Sequence, residues 1–261
     1  MYFHNLDPIL VDFGFIAIRW YSLAYIAGIL LGWGFARKII NHRLNFSINL
    51  KDLDNLISWL IISIIIGGRL GYVLFYNLEF YINNFFDIFK IWEGGMSFHG
   101  ALIGVIISIY FFSIKYNLNT LVLLDIIACV APIGLFFGRI ANFINGELYG
   151  KPTEIFWSVI FPLVDNTPRH PSQLYEAILE GLIIFIFLNI IVFRKNYKIG
   201  TCSFLFLTLY GLFRVFSEIF REPDEQVGYI FEHISMGSFL SIIMLLIGVT
   251  LFIRLNKNEI K

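Results

Sequence analysis

Seven long apolar runs divide this chain, and they restrict its fold more than any other feature. They cover Phe15–Ala36, Leu56–Tyr76, Met96–Ile114, Leu121–Ile140, Ala177–Phe193, Thr201–Phe220 and Met236–Ile253. Each is close to the roughly 20 apolar residues that a helix needs to cross a bilayer. Inside lipid every backbone N–H and C=O must be paired within the protein, which leaves helices and closed barrels as spanning structures. No run alternates in the manner of a barrel strand, so helices remain. The expected fold is an all-α, polytopic integral membrane bundle of seven transmembrane helices, one domain over residues 1–261.

Composition agrees. The chain is 58% hydrophobic, 18% aromatic and 15% charged, with a mean hydropathy of +0.76. Soluble domains average about 45–50% apolar and about 25% charged residues. The formal net charge is +0, which gives no basic surface for nucleic acid. Two cysteines, Cys129 and Cys202, lie in apolar runs, so neither a disulfide framework nor a thiolate metal site is expected. Residues 1–14 hold no Lys or Arg, so the first run reads as a retained span and not as a cleaved signal. The segment Asn83–Trp92 is too short to cross and reads as an interfacial helix on the outer surface.

Basic residues collect in cytoplasmic loops. On one side of the runs stand Arg37, Lys38, Arg43, Lys51, Lys115, Arg194, Lys195, Lys198, Arg254, Lys257 and Lys261. The other side has Lys90, Lys151, Arg169 and Arg221. This bias puts the N-terminus in the periplasm and the C-terminus in the cytoplasm.

A charged group within a span costs about 2.5–3.5 kcal/mol on insertion scales, so each is a functional candidate. In this topology Arg69, Arg139, Arg214, Tyr21, His99 and Glu176 share one depth, in the outer half of the bilayer. Structural readings stand beside the functional ones. Arg69 in GGRLGY can snorkel to headgroups. Arg214 and Glu218 at i, i+4 can be an ordinary ion pair. Asp125 near an inner helix end reads as a satisfied polar group, and the cysteines as packing. His4 and His42 lie in flanking loops and carry no signal. His170, in RHPSQLYE, can order the start of the fifth helix. His99 follows a Gly-rich turn in EGGMSFHGAL, and Arg139, Asn142 and Glu147 crowd GRIANFINGELYG. There is no HExxH and no phosphate-binding Walker loop, so no metal and no cofactor is expected. Arginine grips phosphate through a planar fork of donors, and several at headgroup depth suit an anionic lipid.

These blocks, with RWYSLAY, YGLFRVFSEIFREPD and EHISMGSFLSI, make the chain resemble the bacterial prolipoprotein diacylglyceryl transferases over nearly its whole length. One departure is Ala101, where the family usually shows a second glycine after His-Gly; another is a short outer segment between Tyr149 and Arg169. The resemblance implies a catalytic domain that moves the diacylglyceryl group of phosphatidylglycerol onto the lipobox cysteine of a prolipoprotein signal peptide. A thioether forms and glycerol 1-phosphate leaves. It implies His99 and Arg139 as the essential pair. Tyr21, Asn142, Glu147, Gly150, Glu176, Tyr210, Arg214 and Glu218 match further important positions. With these, the residues themselves suggest Arg214 as a second stabiliser of phosphate charge and Arg69 as a headgroup contact. His99 is either the base that takes the thiol proton or a residue that positions the headgroup. The resemblance places the enzyme in the bacterial cytoplasmic membrane, with its active site toward the periplasm and lipid and signal peptide as partners. Nothing requires more than a monomer.

Two other classes predict different features. A transporter would carry inverted repeats and a midplane site. An intramembrane hydrolase would need a nucleophile, and Ser97 beside His99 is the one candidate.

Overall fold

The structure, a computed structural model, describes residues 1–14, 17–43, 46–194, 197–223, 229–231 and 234–257; of residues 93 and 229–231 only the backbone is described. Phe15, Lys195 and Lys261 therefore fall outside the described residues. The helices are α1 (Trp20–His42), α2 (Leu50–Phe75), α3 (Leu78–Asn83), α4 (Phe98–Tyr116) and α5 (Thr120–Asn145). They continue with α6 (Ser172–Glu176), which runs through a π-helical stretch, Ala177–Ile183, into α7 (Ile184–Val192). Then come α8 (Thr201–Glu218) and α9 (Met236–Lys257).

Six helical stretches are long and apolar enough to cross a membrane: α1, α2, α4, α5, Ser172–Val192 and α9. The chain is a polytopic helical membrane protein. The Thr201–Phe220 run is helical as α8, but it falls below that apolar standard, because it includes Arg214, Glu218 and several hydroxyl residues.

The helix ends depart from the expected runs for local reasons. Residues 17–19 do not open the first helix; they form strand β3 (Ala17–Arg19), paired antiparallel with β2 (Ile9–Asp12). An Asp12 carboxylate accepts from Gly14 N at 2.7 Å in the turn that follows β2. Helix α2 starts six residues before Leu56, because Asn49 caps it by accepting from Asp52 N at 2.8 Å. Helix α5 runs past Ile140 to Asn145, where Gly146 takes the left-handed conformation that ends it. The Asn83–Trp92 segment is not one helix; α3 precedes two 3-10 turns, Phe85–Phe89 and Ile91–Glu93. Small strands, absent from an all-α expectation, decorate the end that carries Gly146. Strand β1 (Tyr2–Phe3) pairs with β4 (Val159–Ile160), which pairs with β5 (Pro168–Arg169).

Lipid tails are as apolar as leucine, so helices in a bilayer associate through close packing and polar contacts. At the α2–α4 seam, Gly67 and Gly71 face Gly100 and Gly104 with backbone against backbone; a Cβ at Gly71 would strike Gly100 Cα. Away from that seam Ile39, Leu56, Ile109, Phe112, Leu123, Ile126, Ile184 and Leu188 form a closed core, each under 2% exposed. Pro132 opens one rung of α5. Asn189 reaches across from α7 and donates to Cys129 O at 3.0 Å in the same turn. At the Thr201 end of α8 the buried Asp125 carboxylate accepts from Ser203 N at 2.6 Å, and from Ser203 Oγ, Gly200 N and Tyr197 Oη. Asp125 is thus a satisfied cap that fastens α8 to α5. Burial is the main cause that raises the Tyr197 phenol, and it donates to that carboxylate.

Candidate active site

At the end of the bundle opposite Asp125, residues of α2, α4, α5, α8 and α9 line an open cavity of about 590 Å³. Tyr72 comes from α2 and Tyr76 from its C-cap, Phe98 and His99 from α4, and Arg139 from α5. The loop after α5 adds Glu147, Leu148 and Tyr149; α8 adds Tyr210 and Arg214, and the chain beyond it adds Arg221 and Glu222.

The arginines are held by Glu176 and Glu180 of a neighbouring helix and by Glu218 of α8 itself. Arg139 Nε lies 2.9 Å from Glu176 Oε2, and its Nη2 lies 3.3 Å from Glu180 Oε2. Arg214 Nη1 lies 2.8 Å from the same Glu176 oxygen and 3.5 Å from Glu180 Oε1, while its Nη2 pairs with Glu218. Arg221 Nη1 donates to Glu218 Oε1 at 2.9 Å, and Ser235 Oγ donates to Glu218 Oε2 at 2.9 Å. Removing one partner from a buried pair typically costs about 3–5 kcal/mol, so each carboxylate fixes where its arginine points.

His99 sits in the first turn of α4. Its Nε2 is 3.2 Å from Ser241 Oγ of α9, and both residues are buried. The neighbouring Phe98 ring stacks on Tyr210 at 4.2 Å between centroids. Ser97 Oγ accepts from Gly100 N at 3.2 Å, which makes it the N-cap of α4 and gives it no nucleophile's setting.

The loop Glu147–Gly150 is pinned from outside. Asn142 Nδ2 donates to Glu147 Oε1 at 2.7 Å, and Asn145 Nδ2 to the same oxygen at 3.3 Å. Gln173 Nε2 donates to Glu147 O at 2.8 Å and Ser172 Oγ to Leu148 O at 3.1 Å. These bonds hold Leu148 at a φ of 57°, a conformation that a leucine adopts rarely. Gly150 N donates to His170 O at 3.0 Å, and Gly150 also bridges to Arg221. A Cβ there would collide with the His170 and Phe220 carbonyls, so this position accepts only glycine.

Of the residues that the sequence grouped, His99, Arg139, Glu147, Tyr210 and Arg214 line the cavity itself. Asn142, Gly150, Glu176 and Glu218 lie behind that wall and hold it. Tyr21 stands on α1 with its hydroxyl 3.3 Å from Tyr25 Oη, within electrostatic reach of Asn142 and Glu147. Arg69 is elsewhere. It is 4% exposed, and its guanidinium donates to the carbonyls of Asp87, Ile88, Lys90, Gly94 and Gly95. Three participants have no place in the sequence reading of the site: Glu180, Ser241 and Arg221. Glu180 follows Glu176 by one turn, and Arg221 follows Glu218 by three residues; these spacings were the available signal. His4 also has a use: its Nε2 lies 2.7 Å from Phe143 O, tying the N-terminal segment to the end of α5.

Comparison with known proteins agrees with this architecture. The sequence model of a family described as prolipoprotein diacylglyceryl transferase matches residues 8–254. A phosphatidylglycerol–prolipoprotein diacylglyceryl transferase of Rickettsia bellii (strain OSU 85-389) is 54% identical over 256 residues, 97% of both chains. Proteins with the same name from Rickettsia rickettsii (strain Sheila Smith) and Rickettsia akari (strain Hartford) are 52% and 53% identical; each alignment covers 98% of this chain and 99% of the relative. A match of this extent, over a helical membrane protein with three arginines and a histidine around one cavity, places the chain in the prolipoprotein diacylglyceryl transferase family.

Proposed function

We propose that this protein transfers the diacylglyceryl group of phosphatidylglycerol to the lipobox cysteine thiol of prolipoproteins, the first step of lipoprotein maturation. The supporting observation is the convergence of Arg139 and Arg214, from different helices, on one cavity that also holds His99.

The reaction is a displacement at carbon. The cysteine sulfur bonds to the glyceryl carbon next to the phosphate, the C–O bond to phosphate breaks, and glycerol 1-phosphate leaves with that electron pair. A free thiol has a pKa of about 8.5, so its proton must be taken as sulfur attacks. His99 is the group placed to take that proton or to orient the headgroup; its Nε2 faces Ser241. Charge grows on the departing phosphate, and Arg139 and Arg214 are preorganised to meet it. Glu147 and Tyr210 provide polar walls for the headgroup, with Tyr21, Asn142 and Gly150 shaping its approach. Glu176 and Glu218 aim the arginines.

The surrounding topology follows from charge. Helix α8 serves as the seventh span, its cost offset by pairing Arg214 and Glu218 inside the bundle. The basic loops keep the C-terminus in the cytoplasm and turn the cavity toward the periplasm, where a lipobox cysteine sits at the end of its own apolar segment. The protein works in the bacterial cytoplasmic membrane as a monomer, and both substrates arrive sideways from lipid.

The test is a reaction in membranes containing phosphatidylglycerol and a lipobox peptide, followed by mass spectrometry. A diacylglyceryl mass gained on cysteine alone is expected; Arg139→Ala and His99→Ala proteins insert normally and give none. Failure of the unmodified protein to add that mass would overturn the reading.

A further inference from the structure

The buried ionic cluster is balanced before any lipid arrives. Arg139, Arg214 and Arg221 stand against Glu176, Glu180 and Glu218, linked by contacts of 4.0 Å or less. A phosphodiester entering the cavity brings one further negative charge, and an unbalanced charge in a low-dielectric site is costly. A proton taken up within the site offsets it, on a carboxylate of the cluster or on His99, which already faces Arg214.

The three carboxylates are not held alike. Glu218 accepts from Arg214, Arg221 and Ser235. Glu176 has Arg139 and Arg214 at 2.9 and 2.8 Å, with Arg221 at 4.0 Å beyond its other oxygen. Glu176 and Glu180 each keep a buried Oε1 that makes no hydrogen bond among the described residues, but Glu180 has only the two longer contacts, 3.3 Å to Arg139 and 3.5 Å to Arg214. The groups that face it are Arg139 from α5, Glu176 from its own helix, and Tyr210 and Arg214 from α8. Its placement is built into the fold: the Ala177–Ile183 stretch is π-helical, and Gly181 sits so close to Phe136 that a Cβ would meet its backbone. That approach brings Glu180 beside Arg139.

We infer that Glu180 takes up one proton when an anionic phosphodiester headgroup binds between Arg139 and Arg214, weakening its own contacts to Arg139 Nη2 and Arg214 Nη1 while Glu176 and Glu218 keep both guanidiniums in place. Glu180 acts through the arginines and is a positioning residue. The identity of the anion rests on the transferase reading; the linkage itself does not.

The test measures binding of fluorescent phosphatidylglycerol to the full chain in detergent micelles, without peptide, from pH 5 to 9. The unmodified protein should lose affinity as pH rises, by up to about tenfold per unit for one linked proton. Glu180→Gln should bind with the affinity that the unmodified protein shows at low pH, and with no slope. A pH indicator should record proton uptake on lipid addition for the unmodified protein and none for Glu180→Gln. Infrared difference spectra of the unmodified protein should gain a protonated-carboxyl band on lipid addition, and Glu180→Asp, which keeps the carboxyl, should shift that band; a band unshifted in Glu180→Asp would assign the proton elsewhere. A slope retained in Glu180→Gln, or no uptake and no new band in the unmodified protein, would overturn the inference. Loss of transfer activity with linkage intact would count only against the transferase reading.

Discussion

Arg139 and Arg214 meet on a single atom: Glu176 Oε2 lies 2.9 Å from Nε of the first and 2.8 Å from Nη1 of the second. Two guanidinium groups that would repel each other are thereby held side by side, each with nitrogens left over for a ligand. Arg139 also reaches Glu180, which needs the fork of a guanidinium and not the point charge of an ammonium. Arg139→Lys should therefore insert and fold yet lose about 10²–10³-fold in turnover, a loss typical for one preorganised donor. Initial rates of prolipoprotein conversion check this, and full activity in the lysine variant would remove the geometric argument.

Ser97 gives the opposite expectation. Its hydroxyl caps α4 through Gly100 N. Ser97→Ala should cost about 1 kcal/mol of stability, the usual value of a lost N-cap, and should keep most transfer activity. Thermal unfolding and the peptide assay together decide it; complete loss of activity in a folded variant would revive a hydrolytic nucleophile.

The α2–α4 seam predicts a steric effect at a distance. A valine at Gly71 would meet the Gly100 backbone, one residue from His99. Gly71→Val should destabilise by about 1–3 kcal/mol, as overpacked sites do, and should depress turnover by shifting the start of α4. Gly34, where an added Cβ would meet nothing within 4 Å, is the control: Gly34→Ala should leave activity unchanged.

Outside the spans, acid should loosen one loop. Hydrogen bonding from Arg169 holds the Asp165 carboxyl below its usual range, with Thr167 N also donating. A lowered carboxyl contributes order above its unfolded value, about 3.9, and loses it as pH falls through the lower folded value. Hydrogen exchange at Thr167, corrected for intrinsic rates, should stay constant from pH 7 to 5 and rise toward pH 3. Asp165→Asn should be fast throughout; an unchanged rate in that variant would show that the pair orders nothing.

The apolar runs were legible because lipid leaves the chain few alternatives, and six of them are membrane-length helices. Their ends were not, because capping residues such as Asn49 extend helices into polar sequence that hydropathy ignores. Strands of two to four residues, such as β1 and β4, depend on partners far away in the chain and leave no local periodicity. In the site, shared depth was enough to group His99, Arg139 and Arg214. Sequence could not separate Arg69 from them, since what separates them is the number of carbonyls nearby. Nor could it find Ser241, which is 142 positions from His99 and joined to it only by packing.

Arg69 has a wider consequence. Five main-chain carbonyls from residues 87–95 close on its guanidinium, so that whole stretch is bolted to one point on α2. The stretch presents Phe89 and Trp92 outward, 65% and 76% exposed, and Phe86 just before it is 80% exposed. Trp settles at the boundary between water and acyl chains, and Phe beside it on an interfacial segment dips into the apolar side. Arg69 therefore works as a gauge: it sets the height of that aromatic collar on the bundle.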